Sequence, residues 1–350
     1  MLDRIGYDEQ VAAAAAPLLR ADAQVARVAR VDRGIATVLG EDGPHRVGYG
    51  APVLGAIAEN PQRTPCTGDW VVLRHWPDRR STLEQVLPRR TAVVRAVASE
   101  QSRGQVLCAN ADLVAVVVAL HPEPVLGKVE RMVALAWGSG AQPLVVLTKS
   151  DLVDDAALVA ADVAAAAPGV EVVRTSTVTG AGLDRIVELV DARRTLALLG
   201  SSGHGKSTLA NSMVGADVLF TRGLRADGRG RHTSVRRELV VLPGGGAVID
   251  TPGLSGVGLL DADDGLGRTF ADIDALAAQC RFGDCGHRGE PGCAVAAAVE
   301  SGVLPLRRLE SWTRLQREVA WIAARTDVRL RAERAAEWRR RRREAGWSRR

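Results

Sequence analysis

The sequence contains no apolar run long enough to cross a membrane. The longest run near its middle, Leu113–Leu120, has eight residues, whereas a membrane-spanning helix needs about 20. The first residues lack a signal-peptide pattern, because Asp3, Asp8 and Glu9 place acidic groups there and no cleavage site follows. We therefore expect a cytoplasmic protein that does not associate with membranes.

Cysteine is scarce, and its placement is informative. Three of the five cysteines lie within fourteen residues, and in a reducing compartment such a cluster indicates a metal site rather than a disulfide. The pattern Cys280-x4-Cys285-x-His287-x5-Cys293 supplies three thiolates and an imidazole, which are ligands of structural Zn²⁺. Because protein ligands fill all four positions, we predict one structural zinc per chain. A reduced, metal-free cluster is the alternative.

The net charge of +5 is concentrated at one end of the chain. Between residues 326 and 350, ten arginines face four acidic residues, so the rest of the sequence carries about −1. A basic tail of this kind is typical of segments that contact polyanions such as RNA. A solvated helix end that only maintains solubility is the alternative.

The first hundred residues predict a small β-barrel behind a flexible lead-in. Residues 1–22 include an alanine-rich stretch, Ala12–Ala16, with no clear structural signal. Between residues 23 and 98, Gly, Pro and Asp separate short apolar runs, which predicts an OB-fold. The predicted strands are Arg27–Val31, Gly34–Leu39, Asp69–His75 and Ser81–Leu87.

Aromatic residues make up only 3% of the chain, and Trp70 and Trp76 are the only ones in or beside these predicted strands. Base stacking on the barrel is therefore weakly supported. Contacts to an RNA backbone are favoured instead, and the candidates for them are Arg79, Arg80, Arg89 and Arg90.

Residues 105–262 alternate between apolar strands and helical stretches, which predicts a doubly wound α/β domain. Its strands are predicted at Asp112–Leu120, Gln142–Thr148, Val170–Val173 and Thr195–Leu199. Residues 268–325 surround the cysteine cluster and predict a zinc-binding helical domain, followed by the basic tail at 326–350. The chain as a whole is predicted to be a multidomain α/β protein.

The segment Gly200–Ser207 fits the phosphate-loop pattern G-x4-G-K-[ST]. It follows a predicted strand and opens a helix, which is the context that the motif requires. Backbone N–H groups of such a loop hold phosphates, Lys206 is predicted to reach the β- and γ-phosphates, and Ser207 to bind Mg²⁺. The predicted nucleotide-binding residues here are Gly200, Ser201, Ser202, Gly203, His204, Gly205, Lys206, Ser207 and Thr208, with His204 contributing only its backbone amide.

A second motif predicts which base is bound. Thr148-Lys149-Ser150-Asp151 ends a predicted strand, and the Asp151 carboxylate can accept hydrogen bonds from guanine N1–H and the N2 amino group. Adenine offers no donors there and would leave the carboxylate unpaired. Lys149 is predicted to lie along the base, and the amides of Ser176 and Thr177 to meet guanine O6. Thr148 stands where Asn is usual, and an ordinary polar strand end is the alternative.

Asp250-Thr251-Pro252-Gly253 follows another apolar strand and resembles a GTPase second switch. Asp250 is predicted to hold Mg²⁺ through water, and the Gly253 amide to contact the γ-phosphate.

The basic loop at 228–234 is the predicted first switch. It supplies Thr233 or Ser234 as a further Mg²⁺ ligand and His232 as a candidate to position water. Leu254 stands where many GTPases carry a water-orienting Gln, which predicts slow intrinsic hydrolysis.

These motifs occur in permuted order, because the base-reading segment precedes the phosphate loop. Together with the zinc pattern, the order T-K-S-D, G-S-S-G-H-G-K-S-T, G-R-H-T-S and D-T-P-G-L resembles the ribosome small subunit-dependent GTPase A family, RsgA or YjeQ. The resemblance implies an OB barrel, a circularly permuted GTPase and a zinc knuckle. It also implies a protein that binds GTP, GDP and the small ribosomal subunit with its rRNA, and that helps to release other assembly factors. We expect the protein to be a monomer.

Two other functions remain open from the sequence. One is a GTP-dependent switch that binds a non-ribosomal RNA. The other is an RNA-binding scaffold that binds nucleotide but hardly hydrolyses it.

Overall fold

The computed structural model describes residues 1–96, 104–191, 193–219, 237–254, 258–259 and 263–326. The predicted first switch, with His232, Thr233 and Ser234, lies outside these residues, as does the basic tail beyond residue 326. No helix in the described part of the chain is both long and apolar enough to cross a membrane.

The first eighteen residues are folded rather than a flexible lead-in. They form a 3-10 turn at Leu2–Ile5, helix α1 at Glu9–Ala15 and a second 3-10 turn at Ala16–Leu18. The Asp8 carboxylate caps α1 by accepting a hydrogen bond from Val11 N at 3.0 Å. Leu2 and Ile5 are 4% and 0% exposed. The prediction for this segment was wrong because its few apolar side chains are buried in the main hydrophobic core.

Five strands then close into a barrel in the order β1-β2-β3-β5-β4. They are β1 Ala23–Asp32, β2 Ile35–Gly40, β3 Gly43–Tyr49, β4 Trp70–His75 and β5 Ser81–Val86. Helix α2, Ala51–Glu59, lies between β3 and β4. The predicted OB-like barrel is thus confirmed, although β3 and α2 were not among the predicted elements.

A hairpin connects the barrel to a second sheet. Its strands are β6 Ala92–Ala96 and β7 Gly104–Ala109. The second sheet has the order β10-β9-β8-β11-β13-β12. Its members are β8 Leu113–Ala119, β9 Gln142–Thr148, β10 Glu171–Arg174, β11 Thr195–Leu199, β12 Glu238–Val241 and β13 Ala247–Asp250.

The six-stranded sheet is parallel except for its edge strand β12, which runs antiparallel to β13. Helices α3 Leu126–Gly138 and α4 Ala156–Ala166 pack on one face. Helices α5 Leu183–Val190 and α6 Lys206–Val214 pack on the other. Strand β8 is buried along its whole length, which explains its continuous apolar sequence.

The remaining described residues form helices joined to this sheet. A short strand, β14 Gly258–Leu259, pairs with β6. Helices α7 Asp263–Thr269, α8 Ala271–Ala277, α9 Ala294–Glu300 and α10 Leu306–Thr326 follow.

Arg308 holds α10 against α3 and α8. It is 2% exposed and donates hydrogen bonds to Glu130 at 3.1 Å and to Asp272 at 2.6 Å. Removing one partner from a buried ion pair costs about 3–5 kcal/mol, so this group of side chains fixes the position of the C-terminal helices.

Arg27 joins the barrel to the six-stranded sheet. Its buried guanidinium donates to Asn110 O and Thr195 Oγ1 at 2.8 Å each, and also to Ile5 O and Gly68 O. Burial lowers its pKa to about 10, which still leaves it charged at neutral pH. Because Thr195 begins the strand that ends at the phosphate loop, Arg27 links the barrel directly to β11.

Candidate nucleotide site and metal cluster

The segment 200–205 leaves the sheet where β11 ends and turns into α6. Gly203 and Gly205 have φ angles of +83° and +85°, which favour glycine. At Gly200 a Cβ atom would lie 2.4 Å from the carbonyl oxygen of Val117 on β8. Glycine at these positions therefore allows the loop to turn tightly above the end of the sheet, with its backbone N–H groups at the start of a helix.

Lys206 lies across this loop. Its Nζ atom donates to the carbonyl oxygens of Gly200 and Ser201, both at 3.0 Å, and the residue is 6% exposed. Burial lowers the pKa of Lys206, although the nearby Asp250 carboxylate opposes this shift. The structure thus places one ammonium group inside the loop that is predicted to hold phosphates.

Ser207 and Asp250 meet beside Lys206. The Ser207 hydroxyl donates to Asp250 Oδ2 at 2.6 Å, because Asp250 ends β13, the strand next to β11. Burial raises the pKa of Asp250, against the effects of Ser207 and Lys206. Its second oxygen, Oδ1, is buried and has no hydrogen-bond partner among the described residues. A hydroxyl beside a carboxylate with a spare acceptor fits the oxygen ligands that Mg²⁺ requires.

The chain after Asp250 runs against the phosphate loop. A Cβ atom on Gly253 would lie 2.7 Å from Ser202 Cα, and Leu254 N donates to Gly200 O at 3.0 Å. Leu254 is only 3% exposed and belongs to the main hydrophobic core. Its side chain therefore faces the core and offers no group that could orient water.

The predicted base-reading residues lie at the same edge of the sheet, beyond β9 and β10. Ser150 N donates to Thr175 O at 3.1 Å, and Thr175 N donates to Leu147 O at 2.7 Å, so the two segments are adjacent. Asp151 is exposed. Ser176 is 1% exposed, and its hydroxyl accepts from the N–H groups of Val178 and Thr179 at 3.2 Å. The carboxyl ends of parallel strands, where ligands bind in open α/β sheets, therefore carry both predicted motifs.

Two side chains connect the base-reading segment, the phosphate loop and β8. The Thr148 hydroxyl donates to the His204 carbonyl at 2.7 Å, and His204 Nδ1 lies 3.0 Å from Val117 O. Burial lowers the pKa of His204, and Lys206, Lys149 and Lys128 lower it further, against the hydrogen bond to Val117. His204 is therefore mostly neutral at pH 7, and its proton is on Nδ1 because a carbonyl oxygen can only accept. Neither contact was predicted from the sequence.

The four predicted metal ligands form one cluster. The ligand atoms of Cys280, Cys285, His287 and Cys293 all lie within 4.8 Å of one another. His287 Nδ1 is 3.6 Å from Cys280 Sγ and 3.5 Å from Cys293 Sγ. Cys293 also caps α9, since its sulfur accepts from Ala296 N at 3.3 Å. Three sulfurs and one nitrogen at this spacing can hold one metal ion, and they fit a closed tetrahedral site.

Comparison with known proteins identifies the family. The sequence model of the RsgA GTPase family matches residues 86–260. A relative from Streptomyces avermitilis is 49% identical over 337 residues, which cover 95% of this chain and 90% of the relative. The chain belongs to the RsgA GTPase family. That relative, and another from Streptomyces coelicolor that is 49% identical over 96% of this chain and 92% of its own length, are both named small ribosomal subunit biogenesis GTPase RsgA.

Solved structures share the fold of this RsgA-family chain. YjeQ from Thermotoga maritima has a TM-score of 0.62 and 24% identity, and the match covers 85% of this chain and 98% of that one. YloQ, described as a circularly permuted GTPase, has a TM-score of 0.57 at 24% identity over 85% of this chain and 95% of its own. The predicted fold class, including the permuted sheet, is thereby confirmed.

In this member of the RsgA family, two of the barrel arginines form ion pairs within the chain. Arg89 donates to both oxygens of the fully buried Asp69, at 2.7 and 2.8 Å, and to two carbonyl oxygens. Arg90 pairs with Asp8. Arg79 and Arg80 are exposed. Arg90 is exposed as well, so Arg89 is the one of the four predicted RNA contacts whose side chain is withdrawn from solvent. Arg80 also pairs with Asp78 at 2.6 Å.

Proposed function

We propose that this chain hydrolyses GTP during biogenesis of the small ribosomal subunit, the role that its Streptomyces relatives carry in their names. The observation that carries this proposal is the meeting of three motifs at one sheet edge. The phosphate loop, the base-reading segment and Asp250 lie together there, although Asp151 and Asp250 are 99 positions apart along the chain. We place the protein in the cytoplasm, where this partner is made, and propose that it acts as a monomer.

We assign the proposed roles from the sequence motifs together with the contacts described above. The N–H groups of Gly200, Ser201, Ser202, Gly203, His204, Gly205 and Thr208, with the Lys206 ammonium, bind the phosphates. Asp151 reads the guanine edge, with Lys149 along the base and Ser176 and Thr177 at O6. Ser207, either Thr233 or Ser234, and water held by Asp250 would bind Mg²⁺, which supplies positive charge to the β- and γ-phosphate oxygens when it is bound.

Hydrolysis transfers the γ-phosphoryl group to water, and negative charge shifts towards the β–γ bridging oxygen as that bond breaks. We propose that the Lys206 ammonium and the Gly253 N–H group stabilise this charge. Among the described residues of the second switch, no side chain is available to orient the water, because Leu254 lies in the core. We propose that His232 or a group from the partner orients the water, so that basal turnover is slow and binding to the subunit accelerates it.

Purified small subunits provide the test of this function. We expect them to stimulate GTP hydrolysis strongly and to cosediment with the protein when a non-hydrolysable GTP analogue is present. Large subunits and an unrelated structured RNA serve as controls. Stimulation by the unrelated RNA alone would favour a non-ribosomal switch, and no stimulation by any of them would favour a nucleotide-binding scaffold.

The basic tail can be tested in the same cosedimentation assay. Deleting Arg339–Arg350 removes seven arginines and one glutamate. If these arginines contact rRNA phosphates, binding of the shortened chain should depend less steeply on salt, because fewer counterions are released. Basal hydrolysis should not change. An unaltered salt slope would mean that the tail is solvated and has no RNA partner.

We propose zinc as the ion in the Cys280–Cys293 cluster, at one ion per chain. Cys285→Ser should reduce zinc content by at least about tenfold, since a neutral hydroxyl is a poor substitute for a thiolate. It should also unfold the segment around α9 while nucleotide binding persists. Cys66→Ser is the matched control, because Cys66 lies in the barrel region, outside the cluster. Metal analysis that finds no zinc in a folded wild-type protein would contradict the assignment.

A further inference from the structure

Two neighbouring strands hold the phosphate loop at a single residue, His204. β9 supplies the Thr148 hydroxyl, which donates to the carbonyl oxygen of His204 at 2.7 Å. β8 supplies the Val117 carbonyl, which accepts from Nδ1 of the His204 ring at 3.0 Å. The residue between Gly203 and Gly205 is therefore fixed through both its backbone and its side chain, although its two neighbours have the most permissive backbone of any residue type.

The position of Val117 at the end of its pairing with β11 explains why its carbonyl oxygen needs a hydrogen-bond donor from the loop. The pairing of β8 with β11 ends at the register Val116 to Leu199, and the chain then leaves the sheet at Gly200. The next carbonyl of β8, Val117 O, faces the loop, as its 2.4 Å separation from a Cβ atom placed on Gly200 indicates. A buried carbonyl normally has a hydrogen-bond partner. The His204 ring provides it in place of the sheet.

The second contact reaches the base-reading motif. Thr148 is 3% exposed and comes directly before Lys149. A Cβ atom on Gly205 would lie 3.6 Å from the Thr148 hydroxyl oxygen, so the loop lies close to this side chain at Gly205 as well as at the His204 carbonyl. The short threonine side chain therefore connects the strand end that is proposed to read guanine with the loop that is proposed to hold phosphate.

We propose that His204, together with Thr148, is a positioning residue for nucleotide binding: the Nδ1–H group of its ring holds the phosphate loop in the conformation that receives the β-phosphate. The inference rests on the proposed nucleotide site but does not depend on the ribosomal partner. Without the ring donor, the loop populates its binding conformation for a smaller fraction of the time, and the apparent affinity falls by that fraction. Base selectivity does not change, because Asp151 is not involved.

Two substitutions at position 204 separate the effect of a hydrogen-bond donor at the place of Nδ1 from the effect of side-chain size. The amide nitrogen of asparagine occupies nearly the place of Nδ1, whereas that of glutamine lies nearer the place of Nε2. Fluorescent N-methylanthraniloyl derivatives of GDP and of a non-hydrolysable GTP analogue serve as probes. We expect His204→Asn to bind both within about twofold of wild type, and His204→Gln to bind both about tenfold more weakly, as the loss of one buried hydrogen bond implies.

Two substitutions at position 148 provide a test that is independent of those at position 204. Thr148→Ser keeps the hydroxyl and should bind normally, whereas the isosteric Thr148→Val should weaken both probes about as much as His204→Gln does. All four variants should discriminate against xanthosine nucleotides as wild type does, and their thermal unfolding midpoints verify that they are folded.

The outcomes distinguish this inference from the proposed function. Equal affinities of His204→Asn and His204→Gln, whether both normal or both weakened, would overturn the role of the Nδ1 donor. If His204→Gln does not fold, normal binding by a folded Thr148→Val would overturn the proposal on its own. Failure of the wild-type protein to bind either probe would instead refute the nucleotide site itself.

Discussion

Lys206→Ala should lower the rate of GTP hydrolysis by about 10³-fold, the loss that follows removal of a preorganised charge from a transition state. The Lys206 ammonium is buried inside the loop and held by the carbonyl oxygens of Gly200 and Ser201. An alanine leaves nothing there to balance the charge that develops as the β–γ bond breaks. The rate of phosphate release from GTP at saturating nucleotide, with and without small subunits, measures the effect.

Ser207→Ala tests the proposed Mg²⁺ ligand of the same site. It removes the hydroxyl that contacts Asp250 at 2.6 Å and should also stop turnover. Ser212→Ala is its matched control, because Ser212 lies on the same helix and donates only to Thr208 O within that helix. Near-normal hydrolysis by either Lys206→Ala or Ser207→Ala would mean that the chemistry occurs elsewhere.

Asp151→Asn should shift the preference of the protein from guanosine towards xanthosine triphosphate by about 10⁴-fold, the discrimination available to a site that hydrogen-bonds a polar edge. The asparagine amide replaces one of two acceptors with a donor. That donor opposes the N2 amino group of guanine but pairs with the carbonyl oxygen that xanthine carries in its place. Competition between the two triphosphates for the bound fluorescent probe measures the shift.

Asp155→Asn is the control for this experiment. Asp155 is exposed, lies four residues further along and forms no side-chain cap on α4. It should leave the preference unchanged. If Asp151→Asn keeps the wild-type preference for GTP, the segment Thr148–Asp151 does not read the base.

The parts of the site that the sequence predicts are those formed by neighbouring residues. Gly200–Ser207 is one strand-loop-helix unit, so its pattern carries most of its own geometry. Cys280 to Cys293 is similar, because tight turns bring four ligands of a short segment together. The fold class followed from the alternation of apolar strands and helices, which local patterns also determine.

Contacts between segments that are distant in the chain could not be predicted from the sequence. Arg27 resembles an ordinary outward-facing strand residue, yet its acceptors come from Ile5, Gly68, Asn110 and Thr195. Arg89 resembles a free basic residue until its partner, Asp69, is known. The role of His204 depends on Val117, a residue 87 positions earlier whose apolar side chain gives no hint that its carbonyl oxygen needs a donor.

The strand order of the six-stranded sheet also has a consequence for how the chain folds as it is synthesised. β8, β9 and β10 are synthesised first and lie side by side as one half of the sheet. The strands β11, β12 and β13 are synthesised later and form the other half. The first half can pair while the second is still being translated. In the described sheet the two halves pair along β8 and β11, and the hydrogen bonds of His204 to Thr148 and Val117 connect the halves across this boundary. A guanine nucleotide would span it as well, so its binding should favour the joined sheet over either separate half.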